Sequence, residues 1–419
     1  MADLLDDLYT EFGENICLSP FLEMFISTWA YGENKFTVLP CCVGTNNFNQ
    51  EGYSAAGSSA IEVYNKDVFV NFRKTFLEGK GLENHFCGGC KKHESTGATS
   101  VRKAHNHHII DMMGQEAIDI VRRVKENDCK VQLGDIAALI YMPSNFCNQA
   151  CIMCNPGASS KRKEHMRRMG DTFDNNHLET GLDPSDLDDI LKSLKLINFT
   201  GGETLIQPQV LKSLDTMISS GTAKNSSISI LTNLSKYNKS LMSKLELFEN
   251  CYMTCSIDGV GKIVEYQRIG CKWLEMAKNM IDMVTNHPKI GYVINYVVTA
   301  VSAISIPDMI KWCRENNLAK GDNESDQRFL IFTPVRDVNY LEISVLPSDV
   351  VNDILNQLRQ LQQFEWPGYQ TMITDAISYL SSHKHNPELK EVFKSIMALE
   401  DAARNDGLTY RNVMGNILD

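Results

Sequence analysis

Three cysteines, Cys147, Cys151 and Cys154, stand at a C-x3-C-x2-C spacing directly after an apolar run, 136–142, that predicts a buried strand. Thiolate is the soft donor that both iron–sulfur clusters and zinc accept. Three thiolates on one short loop suit a [4Fe–4S] cluster. Three protein ligands for four irons leave one iron open to a small molecule. The same three also suit zinc, for which His165 is the nearby candidate fourth ligand. A second set lies earlier in the chain: Cys17, the pair Cys41-Cys42, and Cys87-Gly88-Gly89-Cys90. The two glycines let the backbone turn tightly enough for both flanking thiolates to face one metal, and Pro40 stiffens the approach to Cys41.

These residues need a scaffold, and the pattern downstream supplies one. Strand and helix signals alternate through the middle of the chain. Strands are expected at 136–142, 196–199, 228–232, 252–257, 292–299 and 329–333, and helices at 210–217, 239–247, 273–284 and 306–313 between them. Asp183-Pro184 reads as an N-cap with proline at the first helical position, followed by an apolar stripe of Leu187, Ile190, Leu191 and Leu194. Six β-then-α units imply parallel strands with right-handed crossovers. Six rather than eight implies a partial (β/α)6 TIM-like barrel, open on one side. In such folds chemistry collects at the C-terminal strand ends, and there the sequence places the cysteine loop, Thr200-Gly201-Gly202-Glu203, Thr232-Asn233 and Ser256-Ile257-Asp258-Gly259. Asn295 is a polar residue inside an otherwise apolar strand.

Taken in order, the cysteine triad, the Gly-Gly-Glu turn about fifty residues beyond it, the Ser-Ile-Asp-Gly segment and the downstream Tyr266-Gln267-Arg268 and Trp273 resemble the radical S-adenosylmethionine (radical SAM) superfamily. The resemblance implies that Cys147, Cys151 and Cys154 hold a catalytic [4Fe–4S] cluster whose open iron binds the amino and carboxylate groups of SAM. An electron from the cluster then breaks the sulfur–C5′ bond and releases a 5′-deoxyadenosyl radical for C–H activation. It further implies cofactor contacts from Gly201 and Gly202, whose backbone meets the SAM amino group, and from Glu203 and Asn233. Ser256 and Asp258 would meet the ribose hydroxyls, and Arg268 the methionyl carboxylate. Where many members carry an aromatic before the last cysteine, this chain has Ile152-Met153, so adenine contact would fall to backbone or Met153. Cys129, Cys251, Cys255, Cys271 and Cys313 read as core or bystander thiols.

The N-terminal cysteines, with Tyr31-Gly32 and the 72–79 stretch Phe-Arg-Lys-Thr-Phe-Leu-Glu-Gly, resemble a SPASM/twitch auxiliary-cluster domain lying N-terminal to the core. The implied ligands are Cys17, Cys87, Cys90 and one of Cys41 and Cys42. His93, His105, His107 and His108 read as surface residues. The resulting organisation is an auxiliary iron–sulfur domain over 1–110, a connecting helix within 111–135, a core barrel over 136–345 and a helical segment over 346–419. Residues 46–59, rich in Gly, Ser and Asn, read as a loop.

The chain has 419 residues and a net charge of −11, which disfavours a general polyanion binder, although basic runs at 161–168 and 91–108 keep nucleic acid open. The N-terminus has no signal-peptide pattern, and no apolar run reaches the ~20 residues a membrane span needs. Thirteen cysteines in short-spaced sets favour metal binding in a cytoplasmic chain over a disulfide framework. The expectation is a radical SAM iron–sulfur oxidoreductase or modifying enzyme. Its substrate would be a peptide or protein and its reductant a flavodoxin or ferredoxin. A nucleotide or RNA substrate is the alternative within the class. A non-catalytic zinc protein that binds nucleic acid is the alternative outside it.

Overall fold

The computed structural model describes residues 2–27, 36–42, 58–95, 97–172, 184–319, 328–336, 338–363, 367–382 and 384–418. Most of the 46–59 loop, Tyr31-Gly32, the Asp183 cap and Trp366 lie outside the described residues.

Ten strands are described: β1 (Glu23–Ser27), β2 (Thr37–Leu39), β3 (Ala138–Met142), β4 (Ala150–Cys151), β5 (Leu196–Phe199), β6 (Ser227–Thr232), β7 (Asn250–Ser256), β8 (Arg268–Ile269), β9 (Gly291–Val298) and β10 (Arg328–Pro334). The six core strands expected from the sequence are β3, β5, β6, β7, β9 and β10, with bounds shifted by at most two residues. They stand side by side in chain order, and every neighbouring pair is parallel. The long helices Pro208–Ser219, Trp273–Asn286 and Ile306–Glu315 lie between them in sequence. The helix expected after residue 183 is shorter, a 3-10 turn (Pro184–Leu187) and one α turn (Asp188–Leu191), but its four-residue apolar stripe is buried.

The main sheet has eight strands, not six. β1 pairs in parallel with β3 from Glu23 opposite Ala138 to Ser27 opposite Met142, and β2 adds antiparallel to β1. The reason is that β3 would otherwise present an edge whose backbone groups need partners. β1, buried at all five residues, supplies them. Its sequence, Glu-Met-Phe-Ile-Ser, opens on a carboxylate and does not alternate, so periodicity does not mark it. The N-terminal segment therefore shares both sheet and hydrophobic core with the six core strands.

β6, β7 and β9 alternate between buried and half-buried residues, apart from the exposed Asn250 that opens β7. One face carries Ile230, Met253, Cys255, Ile294 and Tyr296 and is sealed. The other carries Ser229, Thr254, Ser256, Val293 and Asn295 and stays partly open. Ser256 stands opposite Asn295 in register, and Asn295 Oδ1 accepts a hydrogen bond from Thr333 Oγ1 at 2.7 Å. On the edge strand β10, Ile331 is 45% exposed. That half-open face mixes polar residues with Leu231, Tyr252, Val293 and Val297.

Four helices close the chain: Ser348–Leu361, Pro367–Ser381, Pro387–Ala403 and Tyr410–Met414. The third starts with proline in its first turn behind an Asn386 cap, the arrangement that suits a missing N–H. Among the described residues no helix is long and apolar enough to cross a membrane.

Candidate functional site

The cysteine loop leaves β3 and is fixed at both ends. Cys147 N–H donates to Ser160 Oγ at 3.1 Å, and Ser159 Oγ donates to Gln149 O at 3.0 Å. Ser159 also caps the helix Ser160–Arg168, so one Ser-Ser pair starts the helix and ties back the loop. In the middle, β4 pairs antiparallel with β8, Cys151 opposite Arg268, and Ile152 N–H donates to Gln267 O at 2.9 Å. Arg268 Nη1 reaches Cys151 Sγ at 3.5 Å.

The Gly-Gly-Glu turn lies under this loop. Gly201 has φ +87°, a left-handed conformation that costs glycine nothing. At Gly202 the constraint is space, since a Cβ there would sit 2.0 Å from Phe146 O. Glu203 is fully buried and acts as a clamp. Its N–H donates to Phe146 O at 2.8 Å, Oε1 accepts from Thr232 Oγ1 and Leu205 N–H, and Oε2 accepts from Asn233 N–H at 2.6 Å. It thus joins the β5 turn to the end of β6. Asn233 Nδ2 in turn donates to Asn148 Oδ1 at 3.1 Å, on the cysteine loop.

Arg268 and Asp258 form a buried pair, Nη2 to Oδ2 at 2.6 Å, and Asp258 Oδ1 accepts from Val297 N–H at 2.8 Å. Burial works against the Arg268 charge, and the carboxylate of Asp258 more than offsets it, so the guanidinium stays cationic. Asp258 lies beneath the cavity rather than in its wall.

The cavity itself is lined by Cys147, Cys151, Cys154, Gly201, Gly202, Asn233, Ser256 and Arg268, together with Gln149 and Thr232. It is partly open to solvent. Met153 faces a neighbouring cavity with Arg162, Arg336 and Tyr340, and Cys154 lies in the wall of both. So eight of the eleven expected core residues meet in one cavity, Glu203 and Asp258 support it from below, and Met153 faces its neighbour.

The donor set fits an iron–sulfur cluster. Burial, reinforced by the neighbouring thiols, pushes Cys147 up to about 11 and Cys154 up to about 12, so both thiols are neutral at pH 7 until a cation draws off their protons. Gln149 Nε2 and Arg268 Nε are buried donors without an acceptor in the protein, in the cavity wall, where an anionic group would satisfy them. Among the described residues no three His, Cys, Asp or Glu side chains stand where they could hold a single metal ion.

His165 does not line the cysteine cavity. Its Nε2 lies 2.7 Å from Glu400 Oε2, and Arg162 forks onto the same carboxylate at 3.0 and 2.7 Å. Glu400 comes from the helix Pro387–Ala403, so the C-terminal segment locks the helix that follows the cysteine loop. Nothing in local sequence links residues 162, 165 and 400. The only signal is that Arg162 and His165, at i and i+3, share a helix face. Burial opposes the Glu400 charge, but the hydrogen bonds from His165 and Arg162 outweigh it and hold its carboxyl below the usual range. Glu400→Gln is expected to lower stability by about 3–5 kcal/mol at pH 7, because it leaves Arg162 buried without its counter-charge. A folded value below the unfolded one means that this contribution is whole at neutral pH and fades as pH falls through the folded value. Urea unfolding at pH 7 and in acid measures both, and the gap between wild type and variant should narrow in acid.

The N-terminal cysteines also meet. Cys17, Cys41, Cys42, Cys87 and Cys90 line a second, small cavity with Phe72, Phe76, Arg102 and His105. Cys87 ends a 3-10 turn and Cys90 sits in the helix Gly88–Ser95 that follows it directly. Cys42 is exposed and Cys17 buried. Burial, with Cys41 and Cys90 adding to it, pushes Cys87 up to about 12. His93, His107 and His108 are exposed as expected, but His105 is half-buried and faces the thiols. The bystander thiols Cys129, Cys251, Cys255, Cys271 and Cys313 are buried.

No protein-family model and no curated protein matches the chain. Among solved structures it is similar to anSMEcpe with bound AdoMet, at 18% identity over 54% of this chain and 60% of that one, with a TM-score of 0.39. It is similar to Streptococcus suis SuiB bound to the precursor peptide SuiA, at 16% identity over 89% and 75%, with a TM-score of 0.38. TYW1 with a lysine–pyruvate adduct bound overlaps at 12% identity over 60% and 90%, with a TM-score of 0.32. The chain thus spans 60% of the length of anSMEcpe, and all three likenesses are loose ones.

Proposed function

We propose that this chain is a radical SAM enzyme, with the six core strands as a partial (β/α)6 barrel and the cysteine cavity at its mouth. One observation carries the reading. Cys147, Cys151 and Cys154 line a cavity at the C-terminal ends of parallel strands, together with Gly201, Gly202, Asn233, Ser256 and Arg268, while the nearby histidine is held by Glu400. A [4Fe–4S] cluster bound here would supply one electron to SAM, whose released 5′-deoxyadenosyl fragment removes a hydrogen atom from the substrate. The protein's own part is positional. The Gly201–Gly202 backbone offers close approach to the SAM amino group. Arg268, kept cationic by Asp258, faces the carboxylate, and Ser256 faces the ribose. Glu203 holds the two loops in register.

The substrate we propose is a peptide or protein, reached through the half-open sheet face. The cysteine-lined N-terminal cavity, read as an auxiliary iron–sulfur site, supports that class. The basic run 161–168 supports nucleic acid weakly, because Arg162, Lys163 and His165 are buried rather than displayed. The reductant is proposed to be a flavodoxin or ferredoxin.

Anaerobically reconstituted protein should be brown, carry about eight irons if both sites take four-iron clusters, and release 5′-deoxyadenosine from SAM under reduction. A colourless protein with bound zinc and no SAM turnover would overturn the reading. Serine at Cys87 and Cys90 should leave SAM cleavage intact but impair substrate turnover, as measured by product mass.

A further inference from the structure

Outside the main cavity, Glu23 is a carboxyl buried in the sheet. Its side chain is buried on β1, burial pushes the carboxyl up to about 8, and the hydroxyl of Ser19 is the donor that opposes the shift. A buried carboxyl is costly unless a cationic or donor group faces it. Behind Ser19 stands His105, whose Nδ1 lies 3.0 Å from Ser19 Oγ and 3.7 Å from Glu23 Oε1. With Nδ1 turned to Ser19 and Glu23, the ring's other nitrogen, Nε2, is left for the cavity that His105 lines with the thiols. A ligating histidine has its second ring nitrogen held by an oxygen partner, and here that partner is Ser19 Oγ, with Glu23 behind it beyond hydrogen-bond reach.

A shared anchor ties His105 to three thiols. Arg102, one helical turn before it in the helix Val101–Met113, forks onto Glu94 in the helix that carries Cys90, at 3.0 and 2.8 Å. It also donates to Ile16 O at 2.5 Å, next to Cys17. Asn106 adds a bond from Leu18 N–H to its Oδ1 at 3.0 Å, on the other side of Cys17. Cys17, Cys90 and His105 are thereby held on one frame, with Cys87 one turn from Cys90. Cys41 and Cys42 come instead from the end of β2, and Cys42 is exposed.

We propose that His105 Nε2 is a ligand of the iron–sulfur centre in the N-terminal cavity, alongside Cys17, Cys87 and Cys90, with Ser19, and Glu23 behind it, orienting the ring. The proposal rests on the auxiliary-cluster reading above and alters its donor set. The full chain with Cys147, Cys151 and Cys154 all replaced by serine isolates this centre. That protein, labelled with 15N-histidine, reconstituted with iron and sulfide and reduced without SAM, is expected to bind about four irons and show a histidine nitrogen coupling in pulsed electron paramagnetic resonance. Adding His105→Ala should abolish the coupling, whereas adding Cys41→Ser and Cys42→Ser should keep both iron and coupling. If the serine background fails to fold, the unsubstituted chain without SAM gives the same reading, since its other cluster has no histidine ligand. About four irons without nitrogen coupling, or loss of iron in the Cys41→Ser/Cys42→Ser protein, overturns the histidine ligand and leaves the cluster standing. A cavity that takes up no iron overturns both.

Discussion

Serine in place of Cys147, Cys151 and Cys154 together is expected to bring 5′-deoxyadenosine formation to background and to remove about four irons per chain. The three thiols share one cavity, and a hydroxyl is a poor ligand for iron in a sulfide cluster. The fold should survive, because the loop holding them is fixed by groups other than sulfur. Ser159, Ser160 and the β4–β8 pairing anchor it through backbone contacts that serine does not disturb. Iron analysis, chromatography of the SAM reaction and circular dichroism separate these effects. A variant that keeps its iron would show that another donor set holds the cluster.

Gly202→Ala should be nearly as damaging, through shape alone. The added methyl would stand 2.0 Å from Phe146 O and 2.8 Å from Asn145 C, which are backbone atoms of the segment leading into Cys147. Backbone cannot rotate away as a side chain tip can. Overpacking of this kind costs about 1–3 kcal/mol, and the strain falls on the cysteine loop itself. Cluster loading and SAM cleavage should therefore drop further than the unfolding midpoint does. Gly134→Ala is the control, since a Cβ there meets nothing within 4 Å, and it should change stability by less than about 0.5 kcal/mol. If Gly202→Ala reconstitutes fully and cleaves SAM at the wild-type rate, the close packing of the two loops has no bearing on the site.

Most of the core strands were legible because they are continuous apolar runs between helices with clear apolar stripes, and such runs end near their signals. The 293–298 stretch shows why alternation adds information. Asn295 breaks an apolar strand, and it falls on the half-open face opposite Ser256. Elements that gain their stability from distant partners were not legible. β1 is a strand because β3 offers it an edge. Glu400 is a buried carboxylate because Arg162 and His165 receive it from a helix more than two hundred residues earlier. His105 reads as a surface residue from its polar neighbours, yet its helix turns it toward the thiols.

The sequence by itself determined the chemistry on offer: which residues are thiols, how closely they are spaced, and that they sit where strands end. It could do so because ligand type and loop length are local properties. Only the tertiary structure decided how those residues are shared out. It turned Asp258 under the cavity to hold Arg268 and made Glu203 a clamp between strands. It gave His165 to Glu400 instead of to the cysteines, and it merged the N-terminal segment into the main sheet. Each of these depends on which buried polar groups find partners across the fold, and pairing at that range leaves no periodic trace along the chain.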